Sequence, residues 1–156
     1  MLNFSYESKD QDRVLKFEFK GLLDEHAKLP VLNTGHVVEI CLRNVTGLNS
    51  TGTRLWCQWV RAVPSNVHVR LLNCPAVFIK CFNQVHGSLA PNIRVQSFYV
   101  PFYSDKTGER VDTLYTYGVH FGVPGKKAEN VIFDSQMNEM ELDVFPDFFD
   151  FLGTKP

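Results

Sequence analysis

The sequence predicts an α/β domain, a mixed sheet with helices packed on it, followed by a β-hairpin appendage. Three observations carry this. Two alternating segments joined by a polar turn open the chain, β-prone segments then alternate with two stretches of helical period, and beyond Pro91 the texture changes to aromatic runs broken by turn residues. With 156 residues, 44% of them apolar and 21% charged, the chain has the proportions of one ordinary domain with a small appendage. The boundary is expected near residue 97, giving units 1–97 and 98–156.

Leu2 to Tyr6 and Val14 to Phe19 alternate apolar and polar residues around Ser8-Lys9-Asp10-Gln11-Asp12, which reads as a hairpin. Gly21 to Pro30 reads as a short helix or an irregular loop. Val37 to Leu42 is β-branched and nearly continuous in apolar character, as expected of a central strand covered on both faces. Asn49-Ser50-Thr51-Gly52 then clusters capping residues ahead of Leu55, Trp56, Trp59, Val60 and Val63, so a helix is expected from about Ser50 to Val63, ended by Pro64. Val67 to Leu72 alternates into the next strand. Cys74-Pro75 opens a second helix with the stripe Phe78, Cys81, Phe82 and Val85 and a stop at Gly87. Helices between successive strands imply parallel pairing after the opening hairpin.

In the appendage, Val95 to Tyr103, Val111 to Gly122 and Val131 to Phe133 read as strands. Ser104 to Glu109 and Val123 to Lys127 have turn chemistry. Phe145 to Leu152 is expected to make one short helical turn whose phenylalanines pack back on the hairpins.

Composition excludes several functions. A formal net charge of −1, from 16 basic and 17 acidic side chains, gives no basic field for holding phosphates, so no nucleic-acid partner is expected. No apolar stretch approaches the roughly 20 residues of a membrane span, and the first residues do not read as a secretory signal; the expected location is cytoplasmic, without membrane insertion. Without such a signal the Asn-x-Thr triplets at Asn44 and Asn49 are not read as glycosylation sites. Cys41, Cys57, Cys74 and Cys81 stand apart and read as small buried hydrophobes. His26, His36, His68, His86 and His120 never fall at metal-ligand spacing, so neither metal nor cofactor is expected. His36 and His68 open strand-like segments and read as surface or satisfied edge residues. No nucleophile elbow, phosphate loop or dinucleotide fingerprint occurs, and the chain is read as non-enzymatic.

The candidate site is the turn between the buried strand and the tryptophan-bearing helix. Hydroxyls and backbone N–H groups meet there at the positive end of a helix dipole, a place that accepts a phosphate readily. The plain alternative is that Ser50 or Thr51 only caps the helix.

Val37 to Val85, with Val45-Thr46-Gly47-Leu48-Asn49-Ser50-Thr51-Gly52 after the strand and Leu71-Leu72-Asn73-Cys74-Pro75 before the second helix, resembles the STAS domain, a family that includes bacterial anti-sigma-factor antagonists. Gly21-Leu22-Leu23-Asp24-Glu25 is similar to the family's Gly-x-Leu-Asp, and the likeness covers residues 3–97. It implies phosphorylation of Thr51, with Ser50 as the alternative acceptor, by a cognate protein kinase. It also implies a partner-binding surface of Asn49, Ser50, Thr51, Gly52 and Arg54 for a kinase or anti-sigma factor. Asn49 stands where the family carries aspartate and keeps the capping oxygen without its charge. STAS-like domains also serve in transport systems, so a scaffold or accessory subunit of a larger assembly, without a phospho-switch, is the competing reading.

The appendage resembles a zinc ribbon that has lost its cysteines. Ser104-Asp105-Lys106-Thr107-Gly108 has the shape of one Cys-x-x-Cys-Gly knuckle, and Asp134-Ser135-Gln136-Met137-Asn138 that of a second. Hydroxyls and a thioether do not replace thiolates on zinc, so no metal is expected. Phe98, Tyr99, Phe102, Tyr103, Tyr115, Tyr117 and Phe121 are expected to supply by packing what the ion supplies in that pattern. From Asp134 to Leu152 six acids occur without one Lys or Arg, which reads as a solvated face or as a docking face for a basic partner.

Overall fold

Alternation of apolar and charged residues decides which side of each strand is covered. In the computed structural model, which describes residues 1–9, 14–33, 37–124 and 131–153, Phe17, Phe19 and Leu23 turn inward while Lys16, Glu18 and Lys20 turn outward. Strands β1 (Asn3–Lys9), β2 (Val14–Leu23), β3 (Val37–Leu48), β4 (His68–Leu72) and β5 (Ile93–Val95) form one sheet in that spatial order. β1 and β2 are antiparallel, and the remaining pairs are parallel. Helices α1 (Ser50–Ala62) and α2 (Ala76–Gln84) connect β3 to β4 and β4 to β5. They lie on the same face and meet through Trp56 and Phe78, whose ring centroids are 4.9 Å apart.

The mixed α/β sheet and both helices match the reading from sequence. Three details differ. β3 is the middle strand, but only Val38, Ile40 and Leu42 are fully buried, whereas Glu39 and Cys41 are half-buried and Arg43 is exposed. It is therefore covered by helices on one face only. Of the two alternatives for Gly21 to Pro30 the irregular loop holds from Asp24 on, while Gly21 to Leu23 complete β2. β3 also runs on through Val45 to Leu48, so the strand reaches the candidate corner directly. The predicted turn at Asp10 to Asp12, the strand start at His36 and the turn residues Gly125 to Lys127 lie outside the described residues.

A second sheet of β6 (Ser97–Tyr103), β7 (Arg110–Thr116) and β8 (Glu141–Leu142) has the order β7-β6-β8 and is antiparallel. Val111 to Gly122 is thus strand only as far as Thr116; Tyr117 bridges back to Phe121 around a turn. Val131 to Phe133 contributes a single bridge, Phe133 to Glu139. The 3-10 turn at Asp150–Leu152 closes the described chain.

The two sheets are joined by backbone and by rings. Cys74 donates its N–H to the Ser97 carbonyl at 3.0 Å, and Tyr99 donates to the Cys74 carbonyl at 3.0 Å. Phe98, fully buried, meets Tyr115, Phe121, Phe148, Phe149 and Phe151 at centroid distances of 5.1–6.3 Å. Asn83 of α2 clamps the terminal turn, donating to the Phe148 carbonyl at 2.9 Å and accepting from the Phe151 N–H at 2.6 Å. The terminal phenylalanines therefore pack back as expected, and dock on α2 as well.

Phe98→Ala removes the ring that all five neighbours share. The expected loss is about 3–5 kcal/mol of unfolding free energy, measured by urea titration. A loss below about 1 kcal/mol would mean that the terminal aromatics do not depend on it.

Candidate functional site

The corner is built by the cap of α1. Asn49 is extended, with φ −92° and ψ 177°, and its side-chain oxygen accepts the Gly52 N–H at 2.7 Å while its carbonyl accepts from Thr53 at 2.8 Å. The amides of Ser50 and Thr51 have no acceptor among the described residues, as first-turn geometry requires. Asn49 donates its own N–H to the Leu23 carbonyl at 3.2 Å, which ties the corner to the end of β2.

The same carbonyl explains the glycine. A Cβ at position 52 would stand 1.8 Å from the Leu23 oxygen and 2.5 Å from its carbon, so α1 seats on β2 at a depth that only glycine permits.

Each predicted site residue has a definite place. Asn49, Ser50 and Arg54 are exposed, Thr51 is half-buried, and Gly52 is buried. Ser50 is thus more accessible than Thr51, and the part of Gly52 is to permit the close approach rather than to touch a partner. Glu25 is the residue that local sequence did not single out for the site. Its carboxylate accepts from the Asn49 side-chain nitrogen at 3.2 Å, and its own backbone hydrogen bond and the Asn49 amide hold its pKa below the ordinary value. A negative charge therefore stands beside the cap even though the cap residue is neutral. The signal was the nearby Leu-Asp-Glu segment, whose contact with residue 49 follows from strand pairing and not from spacing.

Among the described residues one groove runs along Arg43, Pro75, Tyr99 and Asp112 and another along Met1, Phe4, His26 and Lys28; neither is lined by Asn49, Ser50, Thr51 or Arg54.

The knuckle-like turns of the appendage do converge, and on a carboxylate. Asp134 is buried and accepts from the Ser104 hydroxyl at 2.6 Å and the Thr107 hydroxyl at 3.0 Å. Its other oxygen accepts the backbone N–H groups of Gln136 and Asn138 at 2.9 and 2.8 Å. The Asn138 side-chain amide adds bonds at 3.0 and 3.2 Å. Burial acts to raise the Asp134 pKa, but donation from Ser104, Asn138 and Thr107 outweighs it and holds the carboxyl well below the usual range. Packing by aromatics is therefore only part of what joins the two turns. Met137 does not take the fourth position: it has φ 64° and is 75% exposed, while Asn138 turns inward. Among the described residues no three His, Cys, Asp or Glu side chains gather as metal ligands. The buried cysteines have thiols pushed up by desolvation, that of Cys81 to about 11, so they sit as protonated apolar groups.

Gly52→Ala is expected to cost at least about 2–3 kcal/mol because the added carbon meets backbone, whereas Asn49→Ala should cost about 1 kcal/mol through the lost cap. Thermal unfolding of the pair distinguishes them; equal small losses would contradict the close seating of α1. For Asp134 the folded pKa is depressed, so its contribution is complete above the ordinary carboxylate range, near pH 4, and fades as pH falls through the folded value. Acid titration of stability should therefore be steeper for the native protein than for Asp134→Asn, and identical slopes would remove the carboxylate from this role. Comparison with protein-family models, with curated proteins and with solved structures gives no match for this chain.

Proposed function

We propose that this chain is a non-enzymatic regulatory module of the STAS, anti-sigma-factor-antagonist type. It binds a protein partner through the corner at Asn49, Ser50, Thr51 and Arg54 and is switched by phosphorylation of Thr51, or of its neighbour Ser50. The observation that carries this reading is the seating of α1. Two hydroxyl side chains are presented at the exposed end of a helix whose position is set by the Asn49 cap and by the contact of Gly52 with the Leu23 carbonyl. Such a corner keeps its backbone when its charge changes, which a switch of this kind needs.

Charge is what the switch would alter. The unmodified corner already holds the Glu25 carboxylate on the Asn49 amide. A phosphate brings about −1.5 to −2 more, next to two free amides and the helix dipole, which stabilise it locally. Repulsion from Glu25 and the added bulk then change what docks there while the domain stays folded.

A competing assembly role without a phospho-switch is favoured by one observation. Val131, Phe133 and Met137 are 49–75% exposed around the second knuckle-like turn, a place where apolar side chains would bury against a neighbour.

Incubation with candidate protein kinases from the same genome should add one phosphate, located by mass spectrometry to Thr51 or Ser50, and Thr51→Glu should weaken or abolish capture of the partner bound by the native protein. No modification, together with unchanged capture by Thr51→Glu and Ser50→Glu, would reject the switch. Loss of the same partner on Phe133→Ser with Met137→Ser would favour the assembly reading.

A further inference from the structure

The second sheet has two unlike faces. Alternation along β6 buries Phe98, Val100 and Phe102 in the core, so Tyr99, Pro101 and Tyr103 stand on the opposite side, and the strand register sets Asp112 of β7 beside Pro101. Where this side meets the first sheet, at the hydrogen bond from Tyr99 to the Cys74 carbonyl, there is a groove of about 320 Å³. It is lined by Arg43 of β3, by Pro75 and Ala76 at the start of α2, and by Tyr99, Pro101 and Asp112.

Other charged groups on this side of the second sheet are already engaged. Glu141 accepts from the Tyr103 hydroxyl at 3.2 Å, and Asp143 is paired with Arg110. Arg43 and Asp112 line one groove, yet no ion pair joins them, and the Asp112 carboxylate accepts no hydrogen bond among the described residues. Arg43 donates through Nε to the Tyr99 hydroxyl at 2.9 Å. That bond braces the guanidinium at the groove wall and leaves its two terminal nitrogens as donors.

Two opposite charges in one groove select against a simple ion. An anion drawn to Arg43 meets the Asp112 carboxylate, and a cation drawn to Asp112 meets the guanidinium, whereas a molecule that carries both signs satisfies both. The remaining walls favour hydrocarbon: Pro75, Tyr99 and Pro101 are half-buried and present rings.

We propose that this groove binds a small zwitterion, its carboxylate on Arg43 and its ammonium on Asp112, with a short methylene stem against Pro75, Tyr99 and Pro101. Arg43 and Asp112 are both exposed, so each contact alone is weak and the affinity lies in the millimolar range. The site is separate from the corner at Asn49, Ser50, Thr51 and Arg54, none of which lines it.

Amide NMR of the full chain titrated with ε-aminocaproate tests this. The signals of Ala76, Tyr99 and Asp112 should shift and saturate at millimolar concentration. Caproate, which has only the anion, and hexylamine, which has only the cation, should bind about tenfold more weakly or worse. Arg43→Gln and Asp112→Asn should each weaken the zwitterion about tenfold while keeping the native circular dichroism. In Asp112→Asn, which lacks the repelling acid, caproate should bind as well as the zwitterion does. Thr51→Glu should bind the probe as the native protein does. Shifts that never saturate overturn the proposal, as does caproate or hexylamine binding the native protein as tightly as ε-aminocaproate. Unchanged affinity in Arg43→Gln or Asp112→Asn overturns it too.

Discussion

One carbonyl oxygen, that of Leu23, sets where the first helix can lie. It accepts the Asn49 amide and stands so close to residue 52 that no side chain fits between. A helix seated at that depth brings Trp56 to full burial against Phe78, and both indole N–H groups then reach backbone carbonyls, Trp56 that of Ser88 and Trp59 that of Pro30. Two loops are held by one helix face, and the hydroxyl-bearing corner lies at the start of that helix.

The appendage meets a different constraint. A ribbon of short strands has little core of its own, and its turns need a common partner. Asp134 is that partner, a buried carboxylate with enough donors around it to stay ionised without a counter-charge. On the other side of the same unit Phe98 gathers five rings, and Asn83 fixes the terminal turn to α2. The hairpins are thus continuous with the main core even though they form their own sheet.

Charge is distributed over this frame with a direction. Lys16, Lys20, Arg70 and Arg94 lie on the sheet face that the helices leave open, and where β3 passes into α1 the Glu25 carboxylate stands beside two hydroxyls, with Asp24 next to it in the chain.

The amino-acid sequence alone determined the alternation of strands and helices, the extent of α1 and the change of texture before β6, because these follow from periodicity, capping and proline, which act over a few residues. It also set Ser104, Thr107 and Asp134 in two turns of knuckle-like shape. What it did not contain locally was contact. That β3 is covered on one face, that Glu25 reaches Asn49, that Asn138 and not Met137 turns toward Asp134, and that Gly52 meets a carbonyl were decided by strand register and helix seating. Those depend on residues tens of positions apart, brought together only when the whole core closes.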